Sequence, residues 1–208
     1  SSQVVKNVVI VEISKKIYAG VNIFTVFVAS GERFPDALSS ATLARRLSAP
    51  LLLTSKDHLS SSTENYLTEL SERGHLEKIY IIGGKNVISS KIEDELNNFG
   101  QNVLRIEGDN RYETAVEVAS TFYTNPISLI IAPGNNFPDA LSAGPLALLN
   151  NAPLVLTEKD TLPETVVDFM KNNFAYVDNS GVVYILGGPQ VISNKVVSDV
   201  EKIIKGGS

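Results

Sequence analysis

Two aspartates stand in the same hexapeptide, Phe-Pro-Asp-Ala-Leu-Ser, at residues 34–39 and again at 137–142. In each, proline sits at or near a helix's first position and Asp36 or Asp139 falls in the first turn, where a carboxylate meets free backbone N–H groups. Such a carboxylate can cap the helix and order its loop, or it can accept hydrogen bonds from sugar hydroxyls. Both readings stay open at this point. The residues just ahead differ between the two places: Glu32-Arg33 in the first, Asn135-Asn136 in the second. Asp109-Asn110-Arg111-Tyr112-Glu113-Thr114-Ala115 adds a further polar group, with Asn110 and Glu113 at the spacing of a helix cap and its reciprocal partner. Arg111 then lies in a first helical turn, suited either to clamping a carboxylate across a module boundary or to touching a ligand.

Chemistry that breaks bonds finds few carriers. His58 and His75 are the only histidines, they lack metal-ligand spacing, and each is expected near a helix end at the surface. There is no cysteine, so thiolate ligands, disulfides and cysteine nucleophiles are excluded. No G-x-S-x-G elbow occurs. Gly83-Gly84-Lys85-Asn86 lacks both the upstream glycine and the following Ser or Thr of a phosphate-binding loop. Glu93-Asp94-Glu95 reads as a solvated helix face. No catalytic residue, metal ligand or cofactor is expected.

The elements that must position these groups come in duplicate. Residues 34–54 and 137–157 are identical at 13 of 21 positions, and Ile79 to Ser89 returns as Val183 to Ser193. The period is roughly 103 residues, the size of a small domain rather than a solenoid unit. Short leucine-rich or β-branched runs alternate with helical periods, predicting strands near Phe24–Ala29, Leu51–Thr54 and Ile79–Ile82. Helices are predicted over Asp36–Leu47, Ser61–Ser71 and Ser90–Phe99, the last with Ser90 and Glu93 as a capping box and Gly100 as its stop. Val103–Ile106 is expected to open the second copy, giving modules 1–102 and 103–208. The fold class is α/β: two tandem Rossmann-like or flavodoxin-like modules, each a small parallel sheet flanked by helices.

The formal net charge of −5 over 208 residues argues against a nucleic-acid binder held by phosphate contacts. No apolar stretch approaches the ~20 residues of a membrane span. The start, Ser1-Ser2-Gln3, carries no signal-peptide pattern, which leaves export open.

Arg-Tyr-Glu-Thr-Ala (111–115), Phe-Pro-Asp-Ala-Leu-Ser, Ala-Pro-Leu-Leu-Leu-Thr (49–54) and Tyr-Ile-Ile-Gly-Gly (80–84) together resemble the cell-wall-binding repeat 2 family of clostridial surface and S-layer proteins. The resemblance implies a secreted Gram-positive surface protein, located in the cell wall or S-layer. It implies non-covalent attachment to an anionic secondary cell-wall polysaccharide, with modules that usually come in threes about a pseudo-threefold axis. A homo-oligomer or a further repeat module would then complete the array; neither nucleic acid nor membrane is an expected partner. Carried onto this sequence, the groove residues are Arg33, Asp36, Thr54, Lys85, Arg111, Asn135, Asn136, Asp139 and Thr157. Because the chain is acidic, Arg33, Lys85 and Arg111 are expected to border one groove or one module interface. The first copy departs from the pattern, with Asn7-Val8-Val9-Ile10-Val11-Glu12 where the second has Asn110 to Ala115. Two rivals remain: a doubly wound sugar- or phosphate-handling enzyme, and a structural or self-associating module without a ligand.

Overall fold

The structure is a computed structural model that describes residues 2–32, 34–135, 143–174 and 181–206. The chain divides into two compact units, 1–107 and 108–208.

In the first unit the order is α1 (Ser2–Ile17), β1 (Thr25–Ser30), α2 (Phe34–Arg46), β2 (Leu51–Thr54), α3 (Ser61–Glu72), β3 (Lys78–Ile82), α4 (Ser90–Leu96) and β4 (Asn102–Ile106). The sheet runs β2-β1-β3-β4 with every pair parallel. The second unit contains α5 (Arg111–Phe122), β5 (Ser128–Pro133), α6 (Ala143–Asn150), β6 (Leu154–Thr157), α7 (Glu164–Phe174), β7 (Val182–Ile185) and α8 (Asn194–Ile204). Its sheet, among the described residues, is β6-β5-β7, again parallel. Val26 to Ala29 and Leu129 to Ala132 have no exposed surface, as central strands covered on both faces require. The core of each unit is made of strand aliphatics meeting one face of the helices: Leu67, Leu70, Ile92 and Leu96 in the first, Val166, Met170, Val196 and Val200 in the second.

Local chemistry sets the helix starts. Ser60 caps α3 by accepting from the Thr63 N–H, and the Thr63 hydroxyl donates to the Leu53 carbonyl at the end of β2, so cap and strand end are tied together. At α5, Asn110 Oδ1 accepts from the Tyr112 and Glu113 N–H groups, while Glu113 accepts from the Asp109 N–H and the Asn110 amide. That is the reciprocal cap its spacing predicts. The capping box predicted at Ser90 and Glu93 does not form. Ser89 is the N-cap of α4 and Glu93 is drawn away to Arg105. Gly100 likewise does not stop this helix, which ends at Leu96. A Cβ at Gly100 would come within 2.9 Å of Ile79, so its bareness serves close packing on β3.

Two features depart from the sequence reading. Residues 2–17 form a helix although the motif of the second copy is absent there. α1 packs on β2 and α3 as α5 packs on β6 and α7, so the first copy keeps the layer while changing its residues. The strand expected to open the second copy instead joins the first sheet, with Lys78 to Ile82 paired to Asn102 to Ile106. Covered by it, Ile81 is fully buried, while its repeat counterpart Ile185 on β7 is only partly so.

This asymmetry has an energetic consequence. Ile81→Ala should cost about 3–4 kcal/mol, near the middle of the range for aliphatic truncation in a sealed core, and Ile185→Ala about 1–2 kcal/mol. Denaturation followed through NMR signals of each unit separately would measure both; equal costs would contradict the burial difference.

Candidate functional site at the strand ends

In the first sheet the chain leaves β1 to one side, through α2 to β2, and reaches β3 on the other, so the crevice between β1 and β3 is a topological switch point. The segments there are Gly31-Glu32 after β1 and Gly83-Gly84-Lys85 after β3. Asp36, in the first turn of α2, is 94% buried, and its carboxylate lies against the β3 turn: a Cβ on Gly83 would stand 2.9 Å from Asp36 Oδ2. Gly83 also has φ +116°, so both its backbone and its neighbour demand glycine. Lys85, beyond the turn, is exposed and has no ion-pair partner among the described residues.

The second unit collects Arg111, Tyr112 and Asn135 at the end of β5. Arg111 Nη1 donates to the Gly134 carbonyl at 2.7 Å and to Asn135 Oδ1 at 3.0 Å, and Asn135 Nδ2 donates to the Tyr112 hydroxyl at 3.4 Å. The Tyr112 ring closes over the turn, since a Cβ at Gly134 would come within 2.6 Å of it. Burial, followed by the nearby charge of Glu158, pushes the Tyr112 phenol above its usual range, so the hydroxyl is neutral and can accept from Asn135. Arg111 therefore holds a loop carbonyl and the Asn135 side chain of its own unit.

Thr54 and Thr157 are 0% and 1% exposed. Thr54 Oγ1 faces the carbonyls of Ser55 and His58, and Thr157 Oγ1 those of Glu158 and Thr161, each shared between two acceptors at 3.0–3.2 Å. The two copies thus use one device, a buried hydroxyl that folds the loop after the edge strand, and the threonines expected to meet a ligand lie beneath the surface in that role. Arg33, Asn136 and Asp139 lie outside the described residues. Lys85 and Arg111 belong to different units.

One residue that shapes the site escaped the sequence reading. Arg105, on β4, has a side chain only 7% exposed. Its Nε and Nη2 donate to Glu93 Oε2 at 3.1 and 2.8 Å, and its Nη1 donates to the carbonyls of Gly83 and Ile88 at 2.8 and 3.0 Å. It holds the turn that carries Gly84 and Lys85 against the end of the sheet, and it takes Glu93 out of the solvated face predicted for 93–95. The available signal was an arginine inside the apolar run Val103-Leu104-Arg105-Ile106, where a strand buries what it carries. Among the described residues no group of three or more His, Cys, Asp or Glu could hold a metal ion. His58 and His75 are exposed, as expected.

Parallel α/β units in tandem, each with a small polar crevice at the strand ends, define the class of protein. A model of the family described as cell wall binding domain 2 matches residues 9–93 and 105–197, and the chain belongs to that family, which associates it with the cell wall. It is 31% identical over 186 residues to the N-acetylmuramoyl-L-alanine amidase LytC of Bacillus subtilis, covering 89% of this chain and 35% of that protein. It is 33% identical over 178 residues to the amidase enhancer of the same organism, covering 86% of this chain and 23% of the relative. The chain thus spans about a third or less of these curated relatives. Among solved structures, Cwp6 from Clostridium difficile superposes with a TM-score of 0.81 at 29% identity, over 96% of this chain and 30% of that one.

The two arginines should respond differently to removal. Arg105→Met leaves Glu93 and two carbonyls without their donor, and should destabilise the first unit by roughly 2–4 kcal/mol, with part regained in Arg105→Met/Glu93→Gln. Arg111→Ala loses two hydrogen bonds at a half-exposed site and should cost only about 1 kcal/mol. Urea titrations of the single and double variants would test the ranking, and an Arg111 effect as large as that of Arg105 would contradict it.

Proposed function

We propose that the chain is a non-catalytic anchor, exported to the cell surface, that attaches non-covalently to the Gram-positive wall by holding an anionic secondary cell-wall polysaccharide along the strand ends of its two repeats. Each repeat, 1–102 and 103–208 by sequence, acts as one module. The observation that carries this reading is that the family match runs through both copies. It is supported by the relatives: an amidase and an amidase enhancer share this region, and what two differently named proteins have in common suits attachment better than either chemistry.

Lys85, exposed and without an ion-pair partner among the described residues, meets the negative charge, and Arg33 is its companion by sequence. By sequence, Arg111, Asn135, Asn136 and Asp139 are the corresponding residues of the second module, while the buried Asp36, Thr54 and Thr157 shape the loops. Contacts of this kind are individually weak, and repetition of the module supplies avidity.

Sedimentation with purified Gram-positive cell walls, before and after chemical removal of the anionic polymer, tests the proposal. Binding should be lost with the polymer, and should weaken as salt rises, because exposed charges are screened beyond roughly 8 Å at physiological ionic strength. Lys85→Ala should reduce binding while changing stability by less than about 0.5 kcal/mol. Retention on stripped walls, or binding insensitive to salt and to Lys85, would refute recognition by charge.

A second reading, self-association, is favoured by one observation. Val9, Ile13 and Ile17 fall at successive i, i+4 positions of α1 and are 48%, 49% and 65% exposed. If this row joins chains, sedimentation velocity should show a concentration-dependent oligomer that Ile13→Lys disperses; a monomer at all concentrations would dismiss it.

A further inference from the structure

A polymer held through both repeats must meet the same side chains twice, so the groups that carry a shared contact have to recur in both copies. Most basic residues fail this requirement. Of the 18 lysines and arginines, only Lys56 with Lys159 and Lys91 with Lys195 stand at matched positions. Lys85 has Pro189 as its counterpart, and Arg33 has Asn136.

Both pairs lie in one corner of their unit, and the corner is built the same way twice. The loop after β2 carries Lys56 and Asp57, and the loop after β6 carries Lys159 and Asp160. The Ser89 N–H donates to the Lys56 carbonyl at 2.9 Å, and the Ser193 N–H to the Lys159 carbonyl at 2.8 Å. Lys91 Nζ donates to the Asp57 carbonyl at 3.3 Å, and Lys195 Nζ to that of Asp160 at 3.2 Å. Each of these two lysines also pairs with an acid one turn on, Glu95 at 3.5 Å or Asp199 at 3.6 Å. A further bond ties the strand before each loop to the turn beside it: the Gly31 N–H donates to the Thr54 carbonyl and the Gly134 N–H to that of Thr157, both at 2.9 Å.

The fold accounts for Lys91 and Lys195, whose ammonium groups join helix to loop. It does not account for Lys56 and Lys159. What they give the corner is a main-chain carbonyl, which any residue supplies, and their side chains are exposed. Their neighbours differ between the copies: Ser55 against Glu158, His58 against Thr161, Ser60 against Pro163. A lysine present twice where only its backbone is needed is there for its side chain. Asp57 and Asp160 recur beside them and are exposed as well.

We propose that Lys56-Asp57 and Lys159-Asp160 are a repeated contact, one in each unit, for a sugar unit that carries an anionic group, phosphodiester or carboxylate, among hydroxyls. The ammonium meets the charge and the carboxylate accepts from a hydroxyl. Because the loop backbone is already fixed by its hydrogen bonds, binding orders only the side chains. The contact deepens the anchor reading and takes from it the wall polymer as the source of the sugar.

Two measurements on the whole chain test it. In the first, the amide signals of Lys56, Asp57, Lys159 and Asp160 are followed by NMR as linear polyphosphate, and separately an oligogalacturonate, is added. Both corners should shift with similar midpoints, and the probe that acts at the lower concentration identifies the anionic group. Lys56→Gln and Lys159→Gln should each remove the shifts of its own unit alone, with the melting temperature unchanged. In the second, sedimentation with purified walls, each substitution should weaken binding by about two- to fivefold and the two together by about the product, while Lys56→Arg and Lys159→Arg retain it. Shifts at neither corner with either probe, or at one corner only, overturn the proposal. Wall binding unaltered by the double substitution overturns it too, and the anchor reading then still stands if stripped walls fail to bind. Corners that respond to the probes in a chain that ignores walls keep the anion contact and overturn the anchor reading instead.

Discussion

When every strand of a sheet runs the same way, the chain must return to the starting edge after each one, and only a crossover can bring it back. That requirement dictates most of what is seen in both units. It places α1 to α4 and α5 to α8 on the faces of their sheets, makes the strands apolar on both sides, and gathers the carboxyl ends of β1 and β3 along one border of the first sheet and those of β5 and β7 along one border of the second. The crevice is a product of topology before it is a product of any single residue. Side chains then refine it: Asp36 against Gly83, the Tyr112 ring over Gly134, and Arg105 beneath the turn that bears Lys85.

The refinement rests on buried polar groups that are satisfied locally. Thr54 and Thr157 turn inward to bind loop carbonyls, Thr63 donates to the Leu53 carbonyl of β2, and Arg105 joins a carboxylate to two carbonyls. Each would be costly without its partners. Loops shaped this way can present exposed groups without reorganising, which suits attachment to a polymer by many shallow contacts.

The α/β class, its duplication and most elements were legible because they are written in short-range patterns: apolar runs of strand length, helical periods between them, and a repeated hexapeptide at each helix start. The cap at Asn110 and Glu113 was legible for the same reason. What could not be read depended on contacts distant in sequence. α1 shows apolar residues at 8–11, 13 and 17 with no single clean face, so only its packing on β2 and α3 fixes it as a helix. Glu93 fits a capping box by spacing, but an arginine twelve residues away on a neighbouring strand is the stronger partner. The threonines looked exposed because strand ends usually are; that their hydroxyls point into the following loop is a matter of rotamer. The sheet to which 102–106 belongs was hidden too, since sequence order ties this strand to the helix that follows while hydrogen bonding ties it to the strand before.

That divided allegiance has a mechanical side. Only four residues separate the end of β4 from the start of α5, so a pull on the chain beyond Gly108 enters the first unit at β4. A strand drawn lengthwise against a parallel neighbour strains its backbone hydrogen bonds together, in shear, instead of opening them one after another as in peeling. Arg105, tied at once to Glu93, Gly83 and Ile88, adds a cross-stitch at the same place. The passage from one repeat to the next is thus a gripped strand, and tension directed along it loads these hydrogen bonds together.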